Sequence, residues 1–349
     1  MLSPGQGGLE QSLLDYCEAI ASEGEEVVAL VHPDWPGIAK LQRLGIGVVA
    51  LRSMGEWDPL ATARLRRLVS AHAPDVVVSI GRRASLLLRR ALIRQSGPAH
   101  VAVTPNYSLA HLVGLDHVLT PTEDLKRALV DAGHPETRVS VVPFLIQLPD
   151  PPAAPPGRTD GVPIIGALGR FVAKKGFADL IDALALLRTQ GHRFTARLGG
   201  DGPEAMALRA RVADHGLADR VEFLGWVADR RRFFEAIDIF CVPSLHEPFG
   251  IVVLEGLAHG RPTVLTDAEG PREIITDGRD GLIVPRGQPE RLSAALTRLL
   301  DQPDLRRRLA TAGLDLVRER YALPVVARRI SSVLRAVAAR PQPTEAVSG

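Results

Sequence analysis

Short apolar runs alternate with stretches of helical period along most of the chain. Ile164–Leu168 is an apolar run of strand length, a loop then carries Arg170 and Lys175, and apolar residues recur at Phe177, Leu180, Ile181 and Leu184 with the spacing of a buried helix face. The same order returns at 237–245 (IDIFCVPSL), a strand closed by Pro243, and at 250–260 (GIVVLEGLAHG), a helix stopped by Gly260. In the first half Leu9, Leu13, Cys17 and Ile20 mark a helix that passes through Gly24 into a strand over Val27–Val31, and His100–Val103 reads as another strand. Repetition of strand, loop and helix predicts an α/β protein with parallel sheets, since parallel neighbours need a crossover and the crossover helices cover both sheet faces.

Composition changes this picture only in detail. A chain of 349 residues suits two domains, each able to bury its own core, and an aromatic share of only 4% is compatible with small-residue packing between helices and sheet. Pro149, Pro151, Pro152, Pro155 and Pro156 fall between the halves and predict a linker over 151–161. Pro324 to Ala339 reads as a terminal helix, and the residues after Arg340 (PQPTEAVSG) have the composition of a disordered tail. Cys17 and Cys241 sit in apolar patterns, which predicts buried free thiols. No clustered His, Cys or Asp set predicts a metal, no run predicts a membrane span, and a net charge of +2 argues against a nucleic-acid partner.

Candidate chemistry sits in the loops between strand and helix. Glu247 and Glu255 flank a glycine-led apolar run, so Glu247 lies in the loop and Glu255 more than a turn inside the helix. The amides of Gly250, Ile251 and Val252 open that helix, where unsatisfied N–H groups and the helix dipole favour an anion such as phosphate. A carboxylate at Glu255 needs hydrogen-bond donors in apolar surroundings, and a ribose diol supplies two. Arg170 forks onto phosphate oxygens and Lys175 adds a point charge. Taken singly, each is also an ordinary surface acid or a solvated loop cation. Together they describe a sugar-nucleotide site.

With these residues stand G-R-F-V-A-K-K-G at 169–176, G-G-D-G-P-E at 199–204, R-V-E-F-L-G-W-V at 220–227, E-P-F-G-I-V-V-L-E at 247–255, G-P-R-E-I-I at 270–275 and D-G-R-D-G-L-I-V-P at 277–285. The set resembles the retaining GT-B glycosyltransferases of family 4, the group 1 glycosyltransferases. That resemblance implies two Rossmann-like domains facing across a cleft: an acceptor-binding domain over 1–150, a nucleotide-sugar domain over 162–323, a helix over 324–339 crossing back to the first domain, and a tail over 340–349. It implies Glu247, Arg170 and Lys175 as the catalytic group, with the amides of Phe249, Gly250 and Ile251 on the donor sugar, Glu255 on the ribose and backbone near Val221 on the nucleobase. The implied reaction moves a sugar from a UDP- or GDP-sugar to a hydroxyl of a glycan or lipid-linked acceptor with retention, in lipopolysaccharide, exopolysaccharide or glycolipid synthesis. No cofactor beyond the donor is implied, and the implied location is cytoplasmic, peripheral on the inner face of the plasma membrane.

The first half departs from the family. G-Q-G-G-L-E at 5–10 resembles its N-terminal glycine loop, with Gly7 and Gly8 letting backbone approach the donor phosphates, but it lacks the third glycine of a dinucleotide fingerprint, which disfavours a dehydrogenase. No strand precedes this loop, whereas the family enters it from its first, central strand. The expectation is a truncated chain of lowered stability, or a remodelled sheet. Pro105 stands where many relatives carry a histidine. Asn106 or Tyr107 covers a positioning role, His111 reaches in, or catalysis is weak, and the last reading makes the chain a sugar-nucleotide-binding protein with little or no activity. Residues 64–94 hold eight arginines against one acid, Asp75. In RRASLLLRRALIR they form either a basic amphipathic face for an anionic membrane or a helix that packs Leu86, Leu87 and Leu88 on the sheet and leaves its arginines in water.

Overall fold

The computed structural model describes residues 8–93, 97–150 and 161–340, with backbone alone at 8–10. Gly7, most of the linker and most of the tail expected from sequence lie outside these residues. The chain divides into two compact units, Met1–Leu145 with Leu323–Gly349, and Ile146–Ala322. Ile146 bridges to Ala322, so the residues just before the linker belong with the second unit.

The first unit runs α1 (Gly8–Ser22), β1 (Val28–Val31), α2 (Ile38–Arg43), β2 (Gly47–Ala50), α3 (Pro59–His72), β3 (Val76–Ile80), α4 (Arg82–Leu92), β4 (Ala99–Val103), β5 (His117–Thr120), α5 (Glu123–Asp131) and β6 (Val139–Val141). All its strand pairs are parallel, but the described strands form two sheets, β1-β2 and β3-β4-β5-β6, and no described strand precedes α1. Strands β4 and β5 are buried along their whole length, as parallel strands covered on both faces must be. Helix α3 begins at Pro59 with the Asp58 carboxylate accepting from the Ala61 amide, and α5 begins with the Thr122 hydroxyl accepting from Leu125. Leu87 and Leu88 of α4 are buried with Leu51, Leu65 and Val69, and Leu86 is half-buried, so this helix gives its leucines to the core. Among the described residues, the lipid-facing reading of the α4 leucines is therefore corrected. His100 is likewise structural: burial pushes it down to about 4 and its Nε2 lies 2.8 Å from Ser79 Oγ.

The second unit runs β7 (Ile164–Leu168), α6 (Phe177–Thr189), β8 (Thr195–Gly199), α7 (Ala205–Asp214), β9 (Val221–Gly225), α8 (Arg230–Glu235), β10 (Ile239–Val242), α9 (Ile251–Ala258), β11 (Thr263–Thr266), α10 (Pro271–Ile274), β12 (Leu282–Val284), α11 (Pro289–Asp301) and α12 (Pro303–Arg320). The last helix, α13 (Leu323–Ala338), belongs to the first unit and packs on α1. Six parallel strands form one sheet in the order β12-β11-β10-β7-β8-β9. The chain steps outward from β7 to β9 and then returns to the other side of β7 as β10. Loops leaving β7 and β10 therefore diverge in opposite directions, and that switch point is where open parallel sheets bind ligands. Ile165, Phe177, Leu180, Ile181, Leu184 and Cys241 share the core beneath it, and both cysteines are buried free thiols. Strand β10 stops at Val242 because Pro243 has no amide for the ladder.

Candidate active site

The loop after β7 and the loop after β10 are held against each other by backbone. Gly176 has φ +66°, and a Cβ there would lie 1.9 Å from the Pro243 carbonyl oxygen, so only glycine permits this approach. The Leu245 and His246 amides donate to the Lys174 carbonyl at 2.8 and 3.1 Å. This stitching brings Lys175 Nζ onto Glu247 Oε2 as an ion pair, with side chains only 20% and 14% exposed. Arg170, on the same loop, is exposed and has no ion-pair partner among the described residues. Its backbone is fixed on either side, Gly169 donating to Gly199 at 3.0 Å and Phe171 to Asp201 at 2.9 Å.

Helix α9 starts directly after the Glu247 turn. Gly250 adopts φ +99°, and a Cβ there would crowd Pro271 Cγ at 3.1 Å and Val253 Cγ2 at 3.2 Å. The Val253 amide donates to the Gly250 carbonyl at 2.8 Å, while the Ile251 and Val252 amides at the start of α9 have no acceptor among the described residues. Phe249 is buried, edge-on to Tyr321 with centroids 6.4 Å apart, and anchors the turn. Glu255 is half-buried. Burial pushes its carboxyl up while Arg230 opposes the shift, and no described residue donates a hydrogen bond to it. Arg230 also lies 5.9 Å from the ring of Trp226, which is exposed.

One part of this site escaped the sequence reading. Glu269 Oε2 accepts from the Glu247 amide at 3.2 Å, while Oε1 accepts from Arg286 Nη1 at 2.6 Å and lies 3.1 Å from His246 Nδ1. Arg286 donates as well to the Leu245 carbonyl at 2.7 Å. Burial would raise the Glu269 carboxyl, but Arg286, His246 and the Glu247 amide outweigh it and hold it down at about 2. A carboxyl depressed in the folded state stabilises it fully above the unfolded value and loses that contribution as pH falls toward the folded one. Glu269→Gln should therefore lower the urea midpoint at neutral pH. The gap from the parent should narrow as pH falls from about 5 to about 3, and a gap independent of pH would remove this ion pair from the stability of the loop.

The structure does not bring every predicted residue here. Leu168, Gly199 and Gly225 are in register at the carboxyl ends of β7, β8 and β9, next to the Arg170 loop. Val221 is at the opposite end of β9, and its amide donates to Leu217 at 3.0 Å. Its assignment to the nucleobase is corrected for that reason, and the backbone on the site's side is Gly225 at the end of β9 with Trp226 and Val227 after it. Gly8 is the first residue of α1, in the other unit. There the Asn106 Oδ1 accepts from the Ser108 amide at 2.9 Å and Tyr107 Oη donates to Asp124 at 2.5 Å. Burial, with Arg82 adding to it, lowers His111, whose Nδ1 is buried without a partner among the described residues.

A parallel-sheet unit with two loop cations, a carboxylate turn and a helix N-terminus at its switch point has the layout of one domain of a GT-B fold. The family models agree: Glycosyl transferases group 1 matches residues 153–315 and Glycosyltransferase Family 4 matches residues 6–147. Rhizobium meliloti LpsD, a lipopolysaccharide core biosynthesis glycosyltransferase, is 31% identical over 330 residues, covering 91% of this chain and 92% of its own. LpsE of the same organism, similarly described, is 30% identical over 318 residues, covering 88% and 89%. The chain belongs to the group 1 glycosyltransferases of family 4. Among solved structures, HepE of Anabaena in complex with UDP matches with a TM-score of 0.83 at 21% identity, covering 96% of this chain and 98% of that one. The lipopolysaccharide outer core galactosyltransferase WaaB matches at 0.80 and 17%, covering 96% and 98%. These two likenesses establish the shared fold.

Proposed function

We propose that the protein transfers a sugar, with retention, from a nucleotide-diphosphate sugar to a hydroxyl of a lipopolysaccharide-type acceptor. The observation that carries this reading is the Lys175–Glu247 pair lying between exposed Arg170 and the N-terminus of α9. Lys175 has three N–H donors, so it keeps Glu247 and still reaches a phosphate oxygen. Arg170, Lys175 and the α9 amides neutralise the diphosphate as its bond to the anomeric carbon breaks, without a bound metal. Glu247 accepts from hydroxyls of the donor sugar, Glu255 from the ribose, and the Gly225–Val227 backbone meets the base. The acceptor oxygen bonds to the anomeric carbon on the face the diphosphate leaves, and its proton passes to a diphosphate oxygen.

The names of LpsD and LpsE support a lipopolysaccharide core acceptor. The UDP and UDP-glucose complexes of HepE support UDP as the carrier, with GDP the next choice. A second reading, binding without transfer, draws on Pro105 and on the engagement of Asn106 and Tyr107 in their own surroundings. The test supplies nucleotide sugars with core oligosaccharide, follows diphosphate release and reads the product anomer by NMR. Retained configuration is expected, and an inverted product would overturn the same-face route.

A further inference from the structure

The Glu247 turn rests on the loop that leaves β11, and that loop is fixed in turn by the exit of β12. The Asp267 amide donates to the Val284 carbonyl at 2.9 Å, and the Asp267 carboxylate accepts from the Arg286 amide at 2.9 Å, which sets the backbone from which Arg286 projects. The Gly270 amide donates to the Glu247 carbonyl at 2.8 Å while Glu269 takes the Glu247 amide, so two adjacent residues hold both polar groups of the Glu247 backbone. A Cβ on Gly270 would stand 2.3 Å from Phe249 Cα, which places the loop directly against the backbone of the turn.

Arg286 closes this clamp from outside the turn. Its Nη1 reaches both the Leu245 carbonyl and the Glu269 carboxylate. One guanidinium thus grips the chain two residues before Glu247 and also the carboxylate that holds the Glu247 amide. With side chains 34% and 18% exposed, the Arg286–Glu269 pair is partly shielded and stronger than an ion pair in open water. The Glu247 carboxylate makes none of these contacts and faces Lys175. Backbone and side chain of this one residue therefore answer to different partners: Lys175 balances its charge, and Arg286 with Glu269 sets where its backbone stands. Placement matters because a shift of about 1 Å in a group that must meet the reacting sugar costs up to about a hundredfold in rate.

We propose that Arg286 is a positioning residue for sugar transfer: by gripping Glu269 and the Leu245 carbonyl it sets the Glu247 backbone, and turnover depends on that grip more than donor affinity does. This inference rests on the transfer reading above and adds to it a residue that lies outside the donor contacts.

The grip has a signature in pH. Arg286 and His246 face the Glu269 carboxylate, with Asp267 3.7 Å from Arg286 Nε and the Lys175–Glu247 pair on the far side of the turn. In the parent Glu269 is held at about 2 and stays charged at any working pH. Removing Arg286 removes the foremost influence that lowers it, and burial then raises it. Glu269 would take up a proton as pH falls toward the ordinary carboxylate range of about 4–5, and a neutral carboxyl is a poorer acceptor for the Glu247 amide.

The test measures kcat and donor KM from about pH 7 to about pH 5 for the parent, Arg286→Lys, Arg286→Met and the double variant Arg286→Met, Glu269→Gln, each assayed below its own thermal midpoint. Arg286→Met should lose about tenfold or more in kcat at neutral pH with donor KM changed by less than about threefold. Arg286→Lys should recover part of the loss, since it restores the charge without the fork. The kcat ratio of Arg286→Met to parent should fall further as pH drops, and adding Glu269→Gln should make that ratio level. A merely structural role would lower the thermal midpoint and leave the ratio independent of pH. Unchanged kcat in Arg286→Met, a loss confined to KM, or a level ratio in the single variant would each overturn the inference while the parent's turnover upholds sugar transfer. A parent without turnover would overturn both.

Discussion

Replacing Glu247 with alanine should lower the turnover of sugar transfer by about a hundredfold or more, while the affinity for the nucleotide donor should fall far less. The carboxylate is mostly buried, in contact with Lys175, and its own amide is held by Glu269. It is thus preorganised toward whatever occupies the first turn of α9, and an interaction of that kind acts where charge develops at the sugar. On the proposed reading the nucleotide keeps Arg170, Glu255 and the α9 amides, so binding should survive. Glu247→Gln keeps the shape and removes the charge that balances Lys175, so its turnover falls between parent and alanine variant. Steady-state kinetics beside calorimetric donor affinity separate the two effects. An unchanged turnover in the alanine variant would remove Glu247 from the mechanism.

A large effect on stability is expected at Gly176. Alanine there must adopt φ +66°, which costs about 1–2 kcal/mol by itself. Its Cβ must also find room where the Pro243 carbonyl oxygen stands 1.9 Å away. The obstruction is backbone on the central strand's exit, so the two loops have to part, and the bonds from Leu245 and His246 to Lys174 go with them. A loss of about 3 kcal/mol or more follows, read as a lower urea midpoint, together with loss of activity as Lys175 moves off Glu247. Gly191 supplies the control, since it has φ +85° with nothing within 4 Å of a Cβ. Gly191→Ala should cost only the backbone strain. Equal losses at the two positions would mean that the Gly176 contact does not hold the loops together.

What sequence could deliver here followed from how local each signal was. The strand before Arg170 and the helix after Gly250 were legible because period, glycine and proline act within a few residues. The family resemblance implies the base near Val221, whereas which end of β9 faces the Arg170 loop depends on register with β7 and β8. Glu269 was missed although it adjoins G-P-R-E-I-I, because the amide it holds lies 22 residues earlier and only the pairing of β10 with β11 brings the two loops together. For α4 the leucines and arginines gave an amphipathic helix with two readings, and sequence could not say whether core or solvent took the leucines.

The central claim is that the switch-point site catalyses sugar transfer and does not merely hold a sugar nucleotide. It is tested most directly by release of nucleoside diphosphate from a panel of UDP- and GDP-sugars in the presence of a lipopolysaccharide core acceptor, with donor binding measured on the same samples. The account predicts acceptor-dependent release from one donor, abolished in the Glu247→Ala variant while that variant still binds. Saturable donor binding with no release from any donor would contradict it and leave a binding protein in place of an enzyme.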